Sequence, residues 1–277
     1  METIILKYKN YLIQEEKSQN TISKYIRDIK QFIEFLGENE LSKAEVLLFK
    51  EHIIKKYAPT STNSIIAAVN SFLEFVGCPN FRVKPLKIQR DLFSRPEKEL
   101  SKREYERLIK TAEKKENFKL SLIIQTICST GIRVSELEYI TVSSLHTARV
   151  QVNSKGKNRV ILLPRDLCKM LKKYCNEQGV TKGSVFVTKT GKSLNRSNIW
   201  KMMKSLCKEA KVLESKVFPH NLRHLFARTF YKIEKDISRL ADILGHSSID
   251  TTRIYTIETG LKHARQIDKM ELISYRE

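Results

Sequence analysis

The sequence has few of the residues that hold a protein together by cross-links or metal ions. It contains five cysteines in 277 residues, and no two of them form a C-x-x-C pair. An odd number of cysteines without paired spacing does not fit a disulfide framework or a zinc site. We therefore expect reduced thiols in a cytoplasmic protein, with no metal and no other cofactor.

Long apolar runs are missing as well. No stretch approaches the roughly 20 apolar residues that a membrane-spanning helix needs. The first residues include Glu2 and form no apolar run, so we expect no secretory signal. These features predict a globular protein away from the membrane, with one large domain or two modest ones.

Positive charge, in contrast, is abundant and unevenly distributed. The chain has 51 Lys and Arg residues against 31 Asp and Glu, a net charge of +20. Residues 1–77 hold 10 basic and 10 acidic residues, whereas residues 97–277 hold 36 and 20. The short segment 78–96 holds 5 basic residues and 1 acidic residue. Such an excess is typical of proteins with a polyanionic partner, so we predict that the C-terminal part and the segment before it contact nucleic acid.

The first 77 residues predict a small helical domain that binds rather than catalyses. Apolar residues recur there at helical spacing. Asn20 or Thr21 is the expected cap of one helix and Gly37 its end, while Ser42 and Glu45 form a capping-box pattern that opens another. The expected helices cover about 3–16, 21–36, 42–54 and 60–76.

Residues 78–96 contain three prolines and lack helical periodicity. We interpret this segment as an extended basic linker between two domains. Its basic residues are expected to contact nucleic acid, in particular Lys84, Lys87 and Arg90.

Residues 97–277 predict a second domain that is mainly helical. Ser101 and Glu104 form a capping-box pattern at the start of a helix that ends near residue 114. An apolar helix follows over about 117–129, and a further helix starts near Val134. The remaining expected helices cover about 165–176, 195–210, 221–232, 237–244 and 262–273.

A β-hairpin is predicted within this second domain. Val150 and Val152, and then Val160 and Leu162, occupy alternate positions, and turn-forming residues separate the two pairs. A further short strand is expected over 185–188. The predicted fold class is therefore mainly α with a small β-hairpin.

Four short polar segments do not fit simple helix patterning. They are 130–137, the hairpin turn at Lys155, 220–224, and 244–248 followed by Tyr255. Their residue types suit cleavage of a phosphodiester without a metal. Arg133 and Arg223 would hold the phosphate oxygens with planar guanidinium groups, and Tyr255 would attack phosphorus.

The same chemistry needs groups that move protons. Lys155 on a turn would protonate the departing oxygen, and His220 and His246 would hold or move protons near the phosphate. Each of these residues has an ordinary structural role when it is considered alone. His220 with His224 would also suit a packed helix start or a metal site, although no H-E-x-x-H pattern or nearby cysteine accompanies them.

The order and spacing of these segments favour the catalytic interpretation, because together they resemble the tyrosine recombinase family, also called phage-type integrases. The family pattern is an Arg, a Lys on a β-hairpin, H-x-x-R, a His in an L-G-H segment, and a Tyr nine residues later. Every position is filled here, and the resemblance covers nearly the whole chain. The matching residues are Arg133, Lys155, His220, Arg223, His246 and Tyr255.

The resemblance implies a role for each position. Tyr255 would form a 3′-phosphotyrosyl link and release a 5′-hydroxyl, while Arg133 and Arg223 would grip the phosphate. Lys155 would protonate the leaving oxygen, and His220 would act as a base or hydrogen-bonding group. His246 would hydrogen-bond the phosphate. Two further residues would support the site without acting on DNA, namely Glu136 and His224.

The resemblance also implies an architecture and partners. A helical SAM-like core-binding domain (1–77) and a catalytic domain (97–277), joined by the linker 78–96, would form a C-shaped clamp on double-stranded DNA. Four protomers would assemble into a synaptic complex, and the helix over 262–273 would pass to a neighbour or pack on its own domain. The chain resembles Xer-like or mobile-element integrases without an arm-binding domain. A partner recombinase or a directionality factor is possible in this family.

Three alternatives stay open at this point. A catalytically silent relative would bind DNA without cutting it. A type IB topoisomerase or a hairpin telomere resolvase would share the chemistry but not the recombination. A basic RNA-binding protein is the third alternative, but the chain has no aromatic-rich RNA motif, and this alternative leaves the residues around Tyr255 unexplained.

Overall fold

The computed structural model describes residues 2–88, 96–154, 157–188, 190–246, 248–255, 267–270 and 272. The chain divides into two compact units, residues 1–91 and residues 92–277. Among the described residues no helix is both long and apolar enough to cross a membrane.

The first unit is helical. Its helices are α1 (Glu2–Gln14), α2 (Gln19–Leu36), α3 (Lys43–Lys56) and α4 (Pro59–Phe75). The predicted cap of α2 is wrong, because the side chain of Ser18 accepts the hydrogen bond from the N–H of Thr21 at 3.3 Å. Ser18 satisfies a free N–H group of the first turn, so the helix begins before Asn20. Gly37 ends α2, as predicted.

Aromatic side chains fill the core of the first unit. Tyr8 from α1 meets Phe72 from α4 edge-on, with ring centroids 5.2 Å apart. Phe32 from α2 and Phe49 from α3 lie 4.9 Å apart. All four are buried, so the stripe of apolar residues read from the sequence does form this core.

The segment after α4 is attached to the first unit. A short 3₁₀ helix, Pro79–Phe81, leads into extended backbone that runs to residue 88. The side-chain amide of Asn70 exchanges two hydrogen bonds with the backbone of Val83, at 2.8 and 2.9 Å. Asn63 does the same with Leu86, at 2.9 and 2.7 Å. Asn63 and Asn70 are two helical turns apart, so they hold the segment along one face of α4.

The second unit is mostly helical and contains one described sheet. Its α-helices are α5 (Lys102–Lys114), α6 (Phe118–Thr130), α7 (Ser144–Thr147), α8 (Arg165–Glu177), α9 (Arg196–Lys204), α10 (Cys207–Ala210), α11 (Pro219–Glu234), α12 (Ile237–Leu244) and α13 (Ile249–Arg253). Its 3₁₀ helices are Pro96–Lys98, Val134–Tyr139 and Glu214–Lys216. α6 is buried on most sides and packs against α5 and α11.

The predicted hairpin is present as β1 (Arg149–Ser154) and β2 (Lys157–Leu162), paired antiparallel. The predicted apolar face of β2 is wrong. Ile161 is buried with Val150 and Val152, whereas Val160 and Leu162 are exposed. Residues 160–163 are apolar at every position, so alternation does not distinguish the two faces of this strand, and the pairing with β1 decides which side is buried.

Three other predicted elements differ from the structure. The helix over 195–210 is two helices, because the N–H of Leu206 bonds to the carbonyl of Met203, three residues back, and interrupts the α-helical ladder. The helix at Val134 is a 3₁₀ helix. Residues 185–188 form no strand and contribute only an isolated bridge between Val187 and Ser193. Most of the predicted helix over 262–273 lies outside the described residues.

Candidate active site

A tight turn after α6 starts the candidate site. Gly131 ends the helix in the left-handed region, with φ of +65°. A Cβ atom at this position would lie 2.5 Å from the ring of Phe226, so only glycine fits here. The turn delivers Arg133 to the start of the 3₁₀ helix, with its side chain 41% exposed.

The buried carboxylate of Glu136 organises this turn. It accepts hydrogen bonds from the backbone N–H and the Nη1 of Arg133, at 2.8 and 2.9 Å, and a third from the guanidinium of Arg159 on β2. Burial acts to raise the pKa of Glu136, but the hydrogen bonds and charges of the two arginines outweigh it and hold that pKa below its ordinary value. Glu136 is therefore a carboxylate that fixes Arg133 in place.

Arg223 projects from α11 and is almost completely buried. Its guanidinium donates to the carbonyl of Gly131 and, at 2.6 Å, to the carbonyl of Leu244. Burial, with the nearby charges of Arg133 and Arg159, lowers its pKa to about 10, so it stays protonated at neutral pH. The side chain thus joins the turn after α6 to the end of α12.

His246 lies just after α12, where Gly245 ends the helix with φ of +64°. The Nε2 of His246 accepts a hydrogen bond from Nη2 of Arg223 at 3.0 Å, and its Nδ1 lies 2.8 Å from the hydroxyl of Thr252. Burial and the charges of the surrounding arginines lower the pKa of His246 to about 4. The imidazole is therefore neutral, with its proton on the nitrogen that faces Thr252.

Tyr255 follows α13 and is only 4% exposed. Its ring stacks on His246 with centroids 6.0 Å apart and meets the edge of His224 at 4.8 Å. Burial raises the pKa of Tyr255, and the positive charges of Arg223 and Arg133 oppose this rise without cancelling it. The hydroxyl is protonated at neutral pH and is covered by the protein in this arrangement.

Two histidines on the first turns of α11 complete the site. His220 is exposed, and its ring lies 4.5 Å from that of His224. Partial desolvation and the charges of Arg223, Arg133 and Arg196 lower the pKa of His220. Burial and its two charged neighbours lower the pKa of His224 to about 4. Both imidazoles are therefore unprotonated at neutral pH.

The structure brings most of the predicted residues into one contiguous cluster of the second unit. The members are Arg133, Glu136, His220, Arg223, His224, His246 and Tyr255. Lys155 and Arg90 lie outside the described residues. Lys84 and Lys87 are exposed on the segment attached to the first unit.

Sequence reasoning missed two side chains of the cluster, Arg159 and Thr252. The signal for Arg159 was available in part, because the pairing of β1 and β2 places it opposite the buried Val152. A charged residue on the buried face of a strand requires a partner. Nothing in the sequence pattern singles out Thr252, whose role depends on the position of His246.

The arrangement suits the binding of an anion next to a nucleophile. Arg133 and Arg159 both pair with the carboxylate of Glu136, and Arg223 adds a third positive charge nearby, so this group of four side chains has a net positive charge. Among the residues that the structure describes, no group of three or more His, Cys, Asp or Glu side chains is placed to hold a metal ion.

Comparisons with known proteins point to one family. Residues 98–260 match the sequence profile of the Phage integrase family, and residues 5–76 match that of the Phage integrase, N-terminal SAM-like domain. The chain is 30% identical over 273 residues to the tyrosine recombinase XerD of Oceanobacillus iheyensis, with 88% of this chain and 89% of that protein covered.

Solved structures agree with this relationship. The crystal structure of XerA recombinase is 27% identical, with a TM-score of 0.53 and 99% of both chains covered. A lambda integrase tetramer bound to a Holliday junction shares the fold at 18% identity, with a TM-score of 0.72, 92% of this chain and 76% of that chain covered. The catalytic-domain profile alone spans more than half of the sequence. This chain therefore belongs to the phage integrase family, the tyrosine recombinases.

Proposed function

We propose that this chain is a site-specific DNA recombinase that cuts and rejoins strands through a covalent bond between Tyr255 and a 3′-phosphate, without metal or ATP. The observation that carries the proposal is the clustering of one tyrosine, two arginines and three histidines whose pKa values are lowered. Family membership supports the reaction class.

Each group has a step in this reaction. Arg133, whose side chain is partly exposed, binds the phosphate directly. The buried Arg223 adds a second positive charge that stabilises the transition state. Attack by Tyr255 forms a P–O bond to its phenolic oxygen and breaks the bond to the 5′-oxygen. The phenolic proton passes to His220, whose lowered pKa keeps the imidazole unprotonated at neutral pH, and Lys155 protonates the 5′-oxygen.

The free protein requires a rearrangement before this attack. Tyr255 is buried, and the imidazole Nε2 of His246, which would donate to the phosphate, already accepts a hydrogen bond from Arg223. For His246 to donate from Nε2, its proton must shift from Nδ1 or a second proton must bind. DNA binding would supply the phosphate that competes for Arg223 and favours both changes.

The partner is double-stranded DNA, in agreement with the net charge of +20. We propose that 1–77 and 97–277 act as core-binding and catalytic domains joined by 78–96, and that they close around the duplex as a C-shaped clamp. A tetramer on two DNA sites is also proposed, since a lambda integrase of the same fold forms a tetramer on a Holliday junction. Cytoplasmic action and a need for a partner recombinase or directionality factor remain predictions.

The proposal is tested by trapping the covalent intermediate. The protein is incubated with a library of nicked duplexes of random sequence. After cleavage the short strand next to the nick diffuses away, so the covalent complex cannot be rejoined. The SDS-resistant complexes are recovered and their DNA is sequenced. We expect complexes on a restricted set of sequences, and none with Tyr255→Phe, which retains DNA binding. Tyr231→Phe is the matched control, because Tyr231 packs against the small hydrophobic cluster that contains Tyr255.

Three outcomes would contradict the proposal. Binding without any covalent complex would indicate a silent DNA-binding relative. Covalent complexes on unrestricted sequences, with relaxation of plasmids that lack a selected site, would indicate a topoisomerase. A covalent complex that persists in Tyr255→Phe would show that another residue is the nucleophile.

A further inference from the structure

Arg159 is a buried cation inside the site. It lies on β2 opposite Val152, and its side chain is only 12% exposed. One arm of its guanidinium donates to the carboxylate of Glu136, and the other donates to the carbonyl of Ile243 at 2.9 Å. These two partners belong to segments that are 107 residues apart in the chain, so Arg159 is a bridge between them.

The first partner connects Arg159 to the phosphate-binding arginine. The same oxygen of Glu136 that accepts from Arg159 also accepts from the backbone N–H of Arg133, and the second oxygen accepts from the Arg133 guanidinium. Both carboxylate oxygens are therefore held by arginines. If Arg159 is removed, the carboxylate keeps its two bonds from Arg133 but loses the bond that anchors it to β2. Glu136 and Arg133 then lose their fixed position relative to the rest of the site.

The second partner connects Arg159 to the loop that carries His246. The aliphatic part of Arg159 lies so close to Gly245 that a Cβ atom on this glycine would be 2.5 Å from Cδ of Arg159. The other side of the loop is held by Arg223, which bonds to the carbonyl of Leu244, and by Arg133, which lies 3.3 Å from the carbonyl of Gly245. Three arginines thus fix consecutive carbonyl groups just before His246.

We propose that Arg159 is a positioning residue for the cleavage step, one that sets Arg133 through Glu136 and sets His246 through the 243–245 backbone without itself contacting DNA. This inference rests on the proposed function. Its geometry requires a fork of two N–H groups, since Glu136 and Ile243 bind separate arms of one guanidinium. A single ammonium group does not reproduce that fork.

A matched buried arginine in the same unit separates positioning from general stability. Arg228 on α11 has a side chain 16% exposed, pairs with Glu99, and donates to the carbonyl of Leu100 at 2.8 Å. It therefore has the same kind of partners as Arg159, one carboxylate and one carbonyl, but no contact with the site residues appears among its described bonds. Arg159→Met and Arg228→Met remove equivalent interactions.

The experiment measures single-turnover formation of the Tyr255 adduct at saturating DNA, together with the DNA dissociation constant and melting temperature of each variant. We expect Arg159→Met to slow adduct formation by about 100-fold with the dissociation constant changed less than about threefold, because displaced groups act on the transition state rather than on binding. Arg159→Lys should recover only part of the rate. Arg228→Met should match the melting-temperature loss and keep the wild-type rate.

Two further measurements test whether Arg159 acts through Glu136 and not through protonation of the leaving group. A substrate with sulfur at the bridging 5′-position needs no proton on its leaving group, so it should rescue Lys155→Ala but not Arg159→Met. Glu136→Gln combined with Arg159→Met should be less impaired than the product of the two single effects, because both changes act on one pair.

The inference is overturned if Arg159→Met keeps the wild-type rate, if Arg228→Met slows the reaction equally, if sulfur rescues Arg159→Met, or if the double variant shows the full product. These results are distinct from failure of the proposed function, in which the wild-type protein forms no adduct at Tyr255.

Discussion

The two units of this protein differ in where buried charged side chains find their bonding partners. In the first unit, the buried Asp28 pairs with Lys24 and Arg27, which are four and one residues away on the same helix. In the second unit, Arg223 bonds to the carbonyl of Gly131 across 92 residues, and Arg159 bonds to that of Ile243 across 84. The buried aspartate of the first unit is thus paired within its own helix, whereas these two buried arginines of the second unit bond to distant segments.

The difference shows where the sequence encodes each kind of structure. A local pair is present as soon as its helix forms, so it adds little to what helical periodicity already specifies. A long-range pair forms only when distant segments meet, and each buried donor that loses its partner is costly. The long-range bonds of Arg223 and Arg159 therefore hold the site groups in fixed positions, and changes to these two residues should affect chemistry as well as stability.

The largest expected effect comes from the most buried arginine. Arg223→Lys keeps the charge but does not reach both carbonyl groups and His246, so adduct formation should fall by about 1,000-fold. Asp28→Asn, its counterpart in the first unit, should lower stability but leave the rate at saturating DNA unchanged. Single-turnover assays on both variants measure this contrast. A near-normal rate for Arg223→Lys would refute the role given to the guanidinium fork.

The second effect compares glycines that end helices in the two units. Gly37→Ala and Gly131→Ala both place a side chain at positive φ, but a Cβ at residue 37 meets open space, whereas at residue 131 it strikes Phe226. For Gly37→Ala we expect a loss of about 1–3 kcal/mol in unfolding free energy from backbone strain alone, because φ of 56° with ψ of −118° is a region that only glycine adopts readily. For Gly131→Ala we expect a loss of about 2–4 kcal/mol, because the collision with Phe226 adds to the smaller strain of left-handed helical backbone. Urea denaturation measures both values. A loss of only about 1 kcal/mol for Gly131→Ala, the cost of left-handed backbone alone, would show that Phe226 moves aside freely.

A third effect is the pH dependence of the unfolding free energy, which is expected from a buried histidine of the second unit. The pKa of His224 is lowered to about 4, so between pH 7 and pH 5 the unfolded chain binds a proton that the folded site resists. The unfolding free energy of the second unit should therefore fall with decreasing pH, with His224 contributing about 1–2 kcal/mol over this window. His224→Phe should remove that part of the slope. An unchanged slope in this variant would show that other groups cause it.

The smallest effect concerns the segment attached to the first unit. Replacement of Lys84, Lys87 and Arg90 with Gln should lower the slope of log affinity against log salt by about three, if each residue meets one phosphate. Replacement of Lys169 and Lys173 with Gln is the control: it removes two positive charges that already pair with Asp166 and Glu177, and it should leave the slope unchanged. A slope that does not change would mean that this segment does not contact DNA.

Individual residues show which features of the structure could be predicted from the sequence. The Ser101 and Glu104 capping box has both of its predicted hydrogen bonds, because a cap depends only on residues three apart. The buried face of β2 was assigned wrongly, because residues 160–163 are apolar at every position. Arg159 was overlooked for the same reason, since it becomes an inward-facing residue only once the register with Val152 is known.

The sequence by itself determined most of the described helices, the hairpin and the family, since these depend on local spacing and on the order of a few polar residues. Only the tertiary structure decided that Tyr255 is covered and that Arg223 is buried. It also decided that Glu136 joins two arginines. The physical reason is that burial and hydrogen bonding depend on which distant segments pack together, and residue spacing along the chain carries no direct measure of that.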